Sequence, residues 1–518
     1  MCDRQVRYLL VPVLVFVAQA SDTMYLADFW HHLARGEVIH AEGRLLDHDI
    51  FTFTVRGAPF RDVNWLSQWI YAWLFGIGGL ALVQTVNALI LALTLGLLVQ
   101  LCRRRSGSLV VAMSVGLAVF LGLWQVLTVR PQTFSLALFV GFLALLDQPP
   151  SFNPGSQDRA EPCPPDQDSR QSVIAPLLAL PLLEALWTNL HGAFPMGIAL
   201  VGCFGLAELI RAVRCRTWTR RLTVLSISLV LCGAATLLNP YGADIYQYVG
   251  VTSQRAKERG IDEWLAPSFD QGIGLAFFIS LPVLAAVIVL AWRKRRQTLS
   301  LEEAILLLVF LPLAAFSIRM VAWWLLVLTL PLTGLAVLLV PPARDEVEPR
   351  PSFGASLTVA VLALLAIFST PWLAPVNPLL RWKMQPRLEQ RLHAALEQVK
   401  GAAGPRRVFT RLEWGEYVAW SGWPDAAVFM DGRIEIYPDA VWDAYSRITQ
   451  AQPGWQEALE RYKVDVLILD TDYHSRFGLI QAAQSCGWSE IFASGRVRVL
   501  TRGATARGYP VDGGGASP

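Results

Sequence analysis

The sequence predicts a polytopic α-helical membrane protein of about eleven transmembrane helices, followed by a C-terminal extracytoplasmic α/β domain. Three observations predict it. Charge is scarce: 16% of the 518 residues are charged and 54% are hydrophobic, whereas a soluble globular chain carries about 25% charged residues. The scarcity is confined to residues 1–372, where apolar runs of 15–23 residues recur. Such runs fit a hydrocarbon core roughly 30 Å thick at about 1.5 Å per residue. Residues 373–502, by contrast, read as ordinary soluble sequence, and 503–518 as a flexible glycine-rich tail.

Taken in order, the spans fall near 7–24, 80–102, 108–128, 133–147, 173–190, 194–212, 222–238, 273–292, 301–317, 321–340 and 353–372. Arg4 and Arg7 precede the first, which puts the N-terminus in the cytoplasm. Every second connection is then cytoplasmic, and the basic clusters fall there: Arg103 to Arg105, Arg211 to Arg221, and Arg293 to Arg296. Short loops on that side hold twice as many lysines and arginines as those outside, as the positive-inside rule requires. An odd number of spans leaves the C-terminal domain outside. All seven histidines fall outside or in that domain. The run Tyr8–Ala20 lacks a signal-peptide cleavage site and is read as a retained helix.

The loops are unequal. Residues 148–172, rich in Pro, Asp and Ser, form a cytoplasmic disordered linker. The outer side carries the long loops, 25–79 and 239–272. Within the first, Trp65, Trp69 and Trp73 stand four apart, one face of a helix lying in the interface. Gly76 to Gly79 then turn the chain into the second span.

Candidate site residues collect on the outer side. Asp28, if it starts a short helix closed by Gly36, shares a face with His32; capping that helix is the alternative. Asp47 and Asp49 suit a divalent cation or a sugar, with His31 and His32 nearby, or else serve as turn residues. Asn189 and His191 occupy a short turn, as interfacial anchors or facing a cavity. Glu184 lies deeper, and a carboxylate within a span commonly faces the bundle interior or a wet cavity. Arg130 and Arg319 each stand alone in a minimal outer turn. Guanidinium groups bind phosphate bidentately, and snorkelling to headgroups is the alternative. Glu263, Trp264 and Asn239 add an acid, an aromatic ring and an amide.

Other classes are excluded. A net charge of +3 gives no case for nucleic acid. There is no G-x-x-x-x-G-K-[ST] loop, no G-x-S-x-G elbow, no HExxH and no cysteine–histidine metal cluster. ATP-driven transport and serine-hydrolase chemistry are therefore not expected.

With these pieces in place, the chain resembles the GT-C superfamily of membrane glycosyltransferases. Within it, the similarity is to a bacterial group that shares D-x-W-x-H-L-x-x-G (Asp28 to Gly36), D-x-F-T-x-T (Asp49 to Thr54) and W-L-x-Q (Trp65 to Gln68). Arg130-Pro131, Trp187 to Gly192, Asn239 to Gly242, Glu263-Trp264, Arg319, Trp414 to Trp420 and Asp431-Gly432-Arg433 complete the pattern. The resemblance implies a multi-pass protein of the bacterial inner membrane. It implies sugar transfer from a polyprenyl-phosphate donor to a glycan, lipid or protein acceptor, with inversion. The general base is then the first-loop acid, Asp28. Where other members carry two acids, this chain has aromatics and histidines, which makes His32 an alternative base. Arg130 and Arg319 would hold the donor phosphate. His31, Asp47, Asp49, Glu184, Asn189, His191, Asn239, Glu263 and Trp264 would line the substrate site, and a divalent cation is a candidate cofactor.

In the C-terminal domain, strands are expected at 406–411, 426–434 and 464–470, helices at Arg387–Lys400 and Trp455–Tyr462, and a closing hairpin over Ser489–Thr501. Asp431-Gly432-Arg433 reads as a tight turn or as part of an acceptor site. A non-catalytic scaffold is the alternative function. A flippase or transporter is a third, disfavoured because the predicted midplane is nearly free of charge.

Overall fold

A computed structural model describes residues 3–22, 28–147, 178–295, 299–339, 353–378, 388–399 and 405–502. The expected linker at 148–172 and the tail at 503–518 lie outside the described residues. The chain forms two compact units, one made of Met1–Met24 and Leu74–Lys383, the other of Tyr25–Trp73 and Met384–Pro518. Most of the segment 25–79 therefore belongs to the same unit as the C-terminal domain, whereas the sequence placed it with the helices.

The first unit is helical: α1 (Asp3–Ala20), α3 (Trp65–Ser106, whose first residues belong to the other unit), α4 (Leu109–Leu123), α5 (Gln132–Leu146), α6 (Leu180–Leu190), α7 (Pro195–Cys215), α8 (Arg220–Ala235), α9 (Asp244–Glu258), α10 (Gly272–Arg295), α11 (Leu301–Phe316), α12 (Ile318–Ala336) and α13 (Phe353–Phe368). Each of the eleven predicted spans overlaps one of these. Among the described residues, five helices are long and apolar enough to cross a membrane: Trp65–Ser106, Leu109–Val126, Pro195–Cys215, Gly272–Lys294 and Ile318–Ala336. Tyr8–Ala20, Gln132–Leu146 and Phe353–Phe368 are shorter apolar helices. These lengths and compositions are those of a multi-pass membrane protein.

Local chemistry sets the helix ends. α3 is interrupted at Gly78 and Gly79, whose φ values of −142° and 61° are not helical; the second suits only a residue without a Cβ. Ser300 and Glu303 close a reciprocal capping box at the start of α11. α12 is the most enclosed span. Its Trp323 packs 5.0 Å from Phe139, and its Trp324 donates to the Ser280 hydroxyl at 2.8 Å. Buried indoles combine a large apolar area with a hydrogen bond of this kind. The basic loops are less uniform than the sequence suggested. Arg105 bonds both Asp147 and Glu303, and Arg211 bonds Glu302.

The second unit holds a five-stranded sheet of β1 (Arg406–Thr410), β2 (Ala426–Val428), β3 (Val466–Asp470), β4 (Trp488–Ser494) and β5 (Val497–Arg502), in the order β2-β1-β3-β5-β4. β1 runs parallel to β2 and β3, while β5 is antiparallel to β3 and β4. The hairpin turns at Gly495, with φ 53°. Helices Leu388–Val399 and Trp455–Arg461 match expectation; Leu412–Gly422, Asp439–Thr449 and Leu479–Ser485 were missed. Phe409, Phe429, Tyr445, Leu467, Leu469 and Leu500 build the core.

The first loop completes this unit. Phe53 N donates to Val428 O at 3.2 Å, and Val428 N to Phe51 O at 3.1 Å, so the segment 51–54 covers the otherwise open edge of β2. α2 (Phe29–Glu42) packs on the helix Leu412–Gly422, with the Trp30 and Trp420 rings stacked 4.5 Å apart. The helix does not close at Gly36, as the sequence suggested, but at Gly43 (φ 66°). Gly36 serves close packing instead: a Cβ there would strike the Gln68 carbonyl.

Candidate functional site

Each unit carries one polar cluster of interest. In the second unit, Asp28 immediately precedes α2 with φ 34° and ψ −17°, and its side chain makes no capping hydrogen bond. The capping alternative is thus not realised. Nor does helical spacing apply to Asp28, because its backbone is left-handed, a conformation that costs a non-glycine residue about 1–2 kcal/mol. His31, rather than His32, joins it. The side-chain donor atoms of Asp28, His31 and Glu416 all lie within 4.8 Å of one another, with His31 Nδ1 3.2 Å from Glu416 Oε1. One nitrogen and two carboxylate oxygens make a donor set able to hold a metal ion. Glu416 comes from the helix Leu412–Gly422, far away in sequence, and only its place in the Trp414 to Trp420 motif could have marked it.

His32 is engaged elsewhere. Arg35 Nη2 and Gln68 Nε2 reach its Nδ1 at 3.2 and 3.1 Å, and both are donors, so Nδ1 accepts and the proton of the neutral ring sits on Nε2. Arg35 also bonds Asp62. A ring whose lone pair is already taken by two donors is a poor general base, which leaves Asp28 as the better candidate.

Asp47 and Asp49 do not act together. Asp47 is exposed and pairs with His48 at 2.5 Å. Asp49 is fully buried, accepting from Thr52 Oγ1 at 2.7 Å and Thr52 N at 3.1 Å, and it bonds Arg433. Arg433 also contacts Asp431, whose Oδ1 accepts from the Tyr437 hydroxyl at 2.8 Å. Burial raises the pKa of Asp431, but Arg433 outweighs it and holds the carboxyl below its usual range. Arg433 is 3% exposed. Asp431-Gly432-Arg433 is therefore a buried fastening between the loop and the domain, and it turns tightly as expected, with Ile434 N donating to Gly432 O at 3.0 Å and Arg433 N to Asp431 Oδ1 at 3.1 Å.

In the first unit, Arg130 from the connection before α5, Glu263 and Trp264 from the connection before α10, and Arg319 from the first turn of α12 come together. Arg130 Nη1 lies 2.6 Å from Glu263 Oε1, and Arg319 Nη1 3.5 Å from Glu263 Oε2. The Arg319 guanidinium sits 5.0 Å from the Trp264 ring centroid, a cation–π contact. Burial pushes Glu263 up, but the two arginines prevail and keep it ionised below the ordinary range. The two guanidinium groups share the Glu263 carboxylate, which is 42% exposed, so the cluster is partly open.

The remaining predicted residues also lie in the first unit, His191 within electrostatic reach of Arg130, Arg319 and Glu263. His191 is buried, its Nδ1 hydrogen-bonded to Ser135 Oγ at 2.8 Å, and that hydroxyl also accepts from Trp187 Nε1 at 2.7 Å. Asn189 donates to the carbonyls of Ala185 and Leu238, each at 2.8 Å. Asn239 braces its own turn, bonding Thr236 O at 2.6 Å and accepting from Tyr241 N at 2.7 Å. Glu184 is fully buried and neither of its oxygens has a hydrogen-bond partner. It lies against Gly197, where a Cβ would strike its Oε2.

No family model matches the sequence, and no curated protein matches it. Solved structures do match in fold. The archaeal oligosaccharyltransferase AglB from Archaeoglobus fulgidus, in complex with an inhibitory peptide and a dolichol-phosphate, aligns with TM-score 0.53 at 12% identity, covering 98% of this chain and 75% of that one. The same organism's oligosaccharyltransferase in complex with Zn and sulfate aligns with TM-score 0.53 at 13% identity, over 96% and 73% of the two chains. ArnT from Cupriavidus metallidurans bound to undecaprenyl phosphate gives TM-score 0.52 at 14% identity, over 98% and 99%. Identities this low establish fold alone. In fold, the chain is similar to these oligosaccharyltransferase and ArnT structures.

Proposed function

We propose that the protein is a membrane glycosyltransferase that moves a sugar from a polyprenyl-phosphate donor to an acceptor, with inversion. The supporting observation is the Arg130–Glu263–Arg319 cluster, two guanidinium groups sharing one carboxylate, on a fold shared with proteins solved with dolichol-phosphate and undecaprenyl phosphate. Arg130 and Arg319 bind the lipid phosphate, since guanidinium forks match phosphate oxygens. Asp28 takes the proton from the acceptor hydroxyl. The acceptor oxygen then bonds the anomeric carbon as the carbon–oxygen bond to phosphate breaks, and polyprenyl phosphate leaves with that electron pair. Phosphate binding at the leaving group stabilises the charge that develops there.

In this proposal the chain crosses the bacterial inner membrane eleven times. Its N-terminus is cytoplasmic, the C-terminal domain lies outside, and Trp69 and Trp73, both exposed, sit at the membrane surface. A general base contributes roughly 10²–10⁴-fold to rate. In cells lacking the native copy, Asp28→Ala at normal abundance should therefore lose sugar transfer, read by mass spectrometry of envelope glycans and lipids. Transfer at the parental level in that strain removes Asp28 as the base. An unchanged glycan and lipid profile on deleting the whole gene removes the glycosyltransferase reading.

A further inference from the structure

We infer that the carboxyl ends of β1 and β3 carry a binding site for a neutral saccharide, in which Asp472 and Arg496 hold ring hydroxyls and Phe477 packs on the sugar's C–H face. The inference concerns binding by the second unit alone and stands independently of the sugar-transfer proposal.

Topology locates the site. β1 and β3 are neighbouring parallel strands. The chain leaves β1 through the helix Leu412–Gly422 toward β2 on one side, and leaves β3 through Thr471–His474 toward β4 and β5 on the other. Where the connections of adjacent parallel strands diverge in this way, the strand ends open into the crevice in which α/β sheets bind ligands. The hairpin of β4 and β5 borders the same place, since Thr471 N donates to Arg496 O at 2.8 Å.

Charged and aromatic groups gather there. Arg411 donates to both oxygens of Glu413 at 2.8 and 2.9 Å and to Asp470 at 2.9 Å, so its guanidinium is taken. Arg496 is held less closely, 3.8 Å from Asp470 and 3.6 Å from Asp472. Those separations exceed a hydrogen bond and leave N–H groups on Arg496 and carboxylate oxygen on Asp472 for a ligand. The two side chains are 34% and 67% exposed. The Tyr473 ring faces Arg411 at 4.7 Å and lies 6.0 Å from the ring of Phe477, which is exposed. Behind them His474 is fully buried, its Nδ1 accepting from Asp470 N at 2.9 Å. Burial pushes its pKa down to about 4, so the ring is neutral with its proton on Nε2. That atom has no hydrogen-bond partner, and a ligand hydroxyl, directly or through one water, would satisfy it.

The charges choose the ligand. Two guanidinium groups and three carboxylates stand side by side, so an anion meets the carboxylates and a cation meets Arg496. A neutral polyol meets neither penalty, because each hydroxyl can donate to a carboxylate and accept from a guanidinium. Adjacent hydroxyls of a pyranose can thus bridge Asp472 and Arg496. The apolar face of the same ring then covers Phe477, removing an exposed aromatic surface from water.

The test uses the full-length protein in a detergent without a sugar headgroup, applied to an array of neutral, sialylated and sulfated oligosaccharides. The strongest ligand is then titrated by calorimetry. We expect neutral glycans to be retained in preference to the acidic ones. Asp472→Ala, Arg496→Ala and Phe477→Ala should each weaken the strongest ligand by at least about 10-fold, equivalent to roughly 1.4 kcal/mol. Glu460→Gln, in the exposed Arg502–Glu460 pair at the opposite end of the sheet, should leave binding unchanged. Three variants are used so that one folded protein, judged by its melting transition, suffices. Parental affinity in any folded one of the three, retention of acidic glycans alone, or no glycan bound by the parent overturns the site. Each of those results reduces the cluster to ion pairs that tie the loops after β1 and β3 together.

Discussion

Arginine does opposite work in the two units, and the count of carboxylates around it decides which. Arg433 is one guanidinium facing two carboxylates, Asp49 and Asp431, at 3% exposure. Its charge is spent and no ligand can reach it. Arg130 and Arg319 are two guanidinium groups facing one carboxylate, at 22% and 31% side-chain exposure. Both guanidinium groups there stay in reach of an anion. The first arrangement fixes a structure and the second can recruit a ligand. Burial alone does not separate them, and neither does residue type.

The comparison is most easily broken at Arg433. Removing one partner of a buried ion pair costs about 3–5 kcal/mol, so Arg433→Ala should destabilise the second unit by that amount in chemical denaturation. Arg130→Ala should change stability by no more than about 1 kcal/mol, as for other partly exposed pairs. Equal losses would mean that the two arrangements do not differ in kind.

A smaller effect sharpens it through pH. Asp431 is held below its ordinary value in the folded state, so the unfolded chain takes up a proton first as the medium is acidified. Stability should then fall as pH drops below about 4 toward the depressed folded value. In Arg433→Met the opposing charge is gone and burial, which raises the pKa, acts without it. The sign reverses, and acidification through the carboxylate range should recover part of the stability lost. Melting temperatures from pH 6 to pH 3 decide this.

The smallest expected change is at Glu263. Glu263→Gln removes the resident carboxylate but keeps the shape, so a phosphate ligand no longer competes with it. Lipid-phosphate affinity should rise about 3–10-fold, in line with roughly 1 kcal/mol for one exposed pair. Weaker binding would show that Glu263 orients the arginines rather than occupying them.

Much of this was legible in the sequence, for physical reasons. Long apolar runs must become helices in lipid, because no other backbone satisfies its own polar groups within one segment. The break at Gly78 and Gly79 and the turn at Gly495 were visible as glycines, and Gly79 and Gly495 do sit at positive φ. Arg130, Glu263, Trp264 and Arg319 were each singled out as polar groups in outer connections, and the fold brings them together. Two things were not legible. The partner of Asp28 was read as His32 from helical spacing, but spacing carries no phase for a residue whose own backbone leaves the helix. Glu416 and Arg433 reach the first loop from nearly 400 positions away in the chain, and no local period encodes a contact of that range. Gly36 looked like a helix stop because it is glycine; the same lack of a Cβ instead admits the Gln68 carbonyl.

The central claim is that the Arg130–Arg319 pair binds a polyprenyl phosphate. Undecaprenyl phosphate should be titrated into the purified full-length protein and into the Arg130→Ala/Arg319→Ala double variant, both checked for an intact melting transition. Charged hydrogen bonds contribute about 1.5–3 kcal/mol each, so the parent should bind and the double variant should bind at least about 100-fold more weakly. Equal affinity in the two proteins would contradict the account.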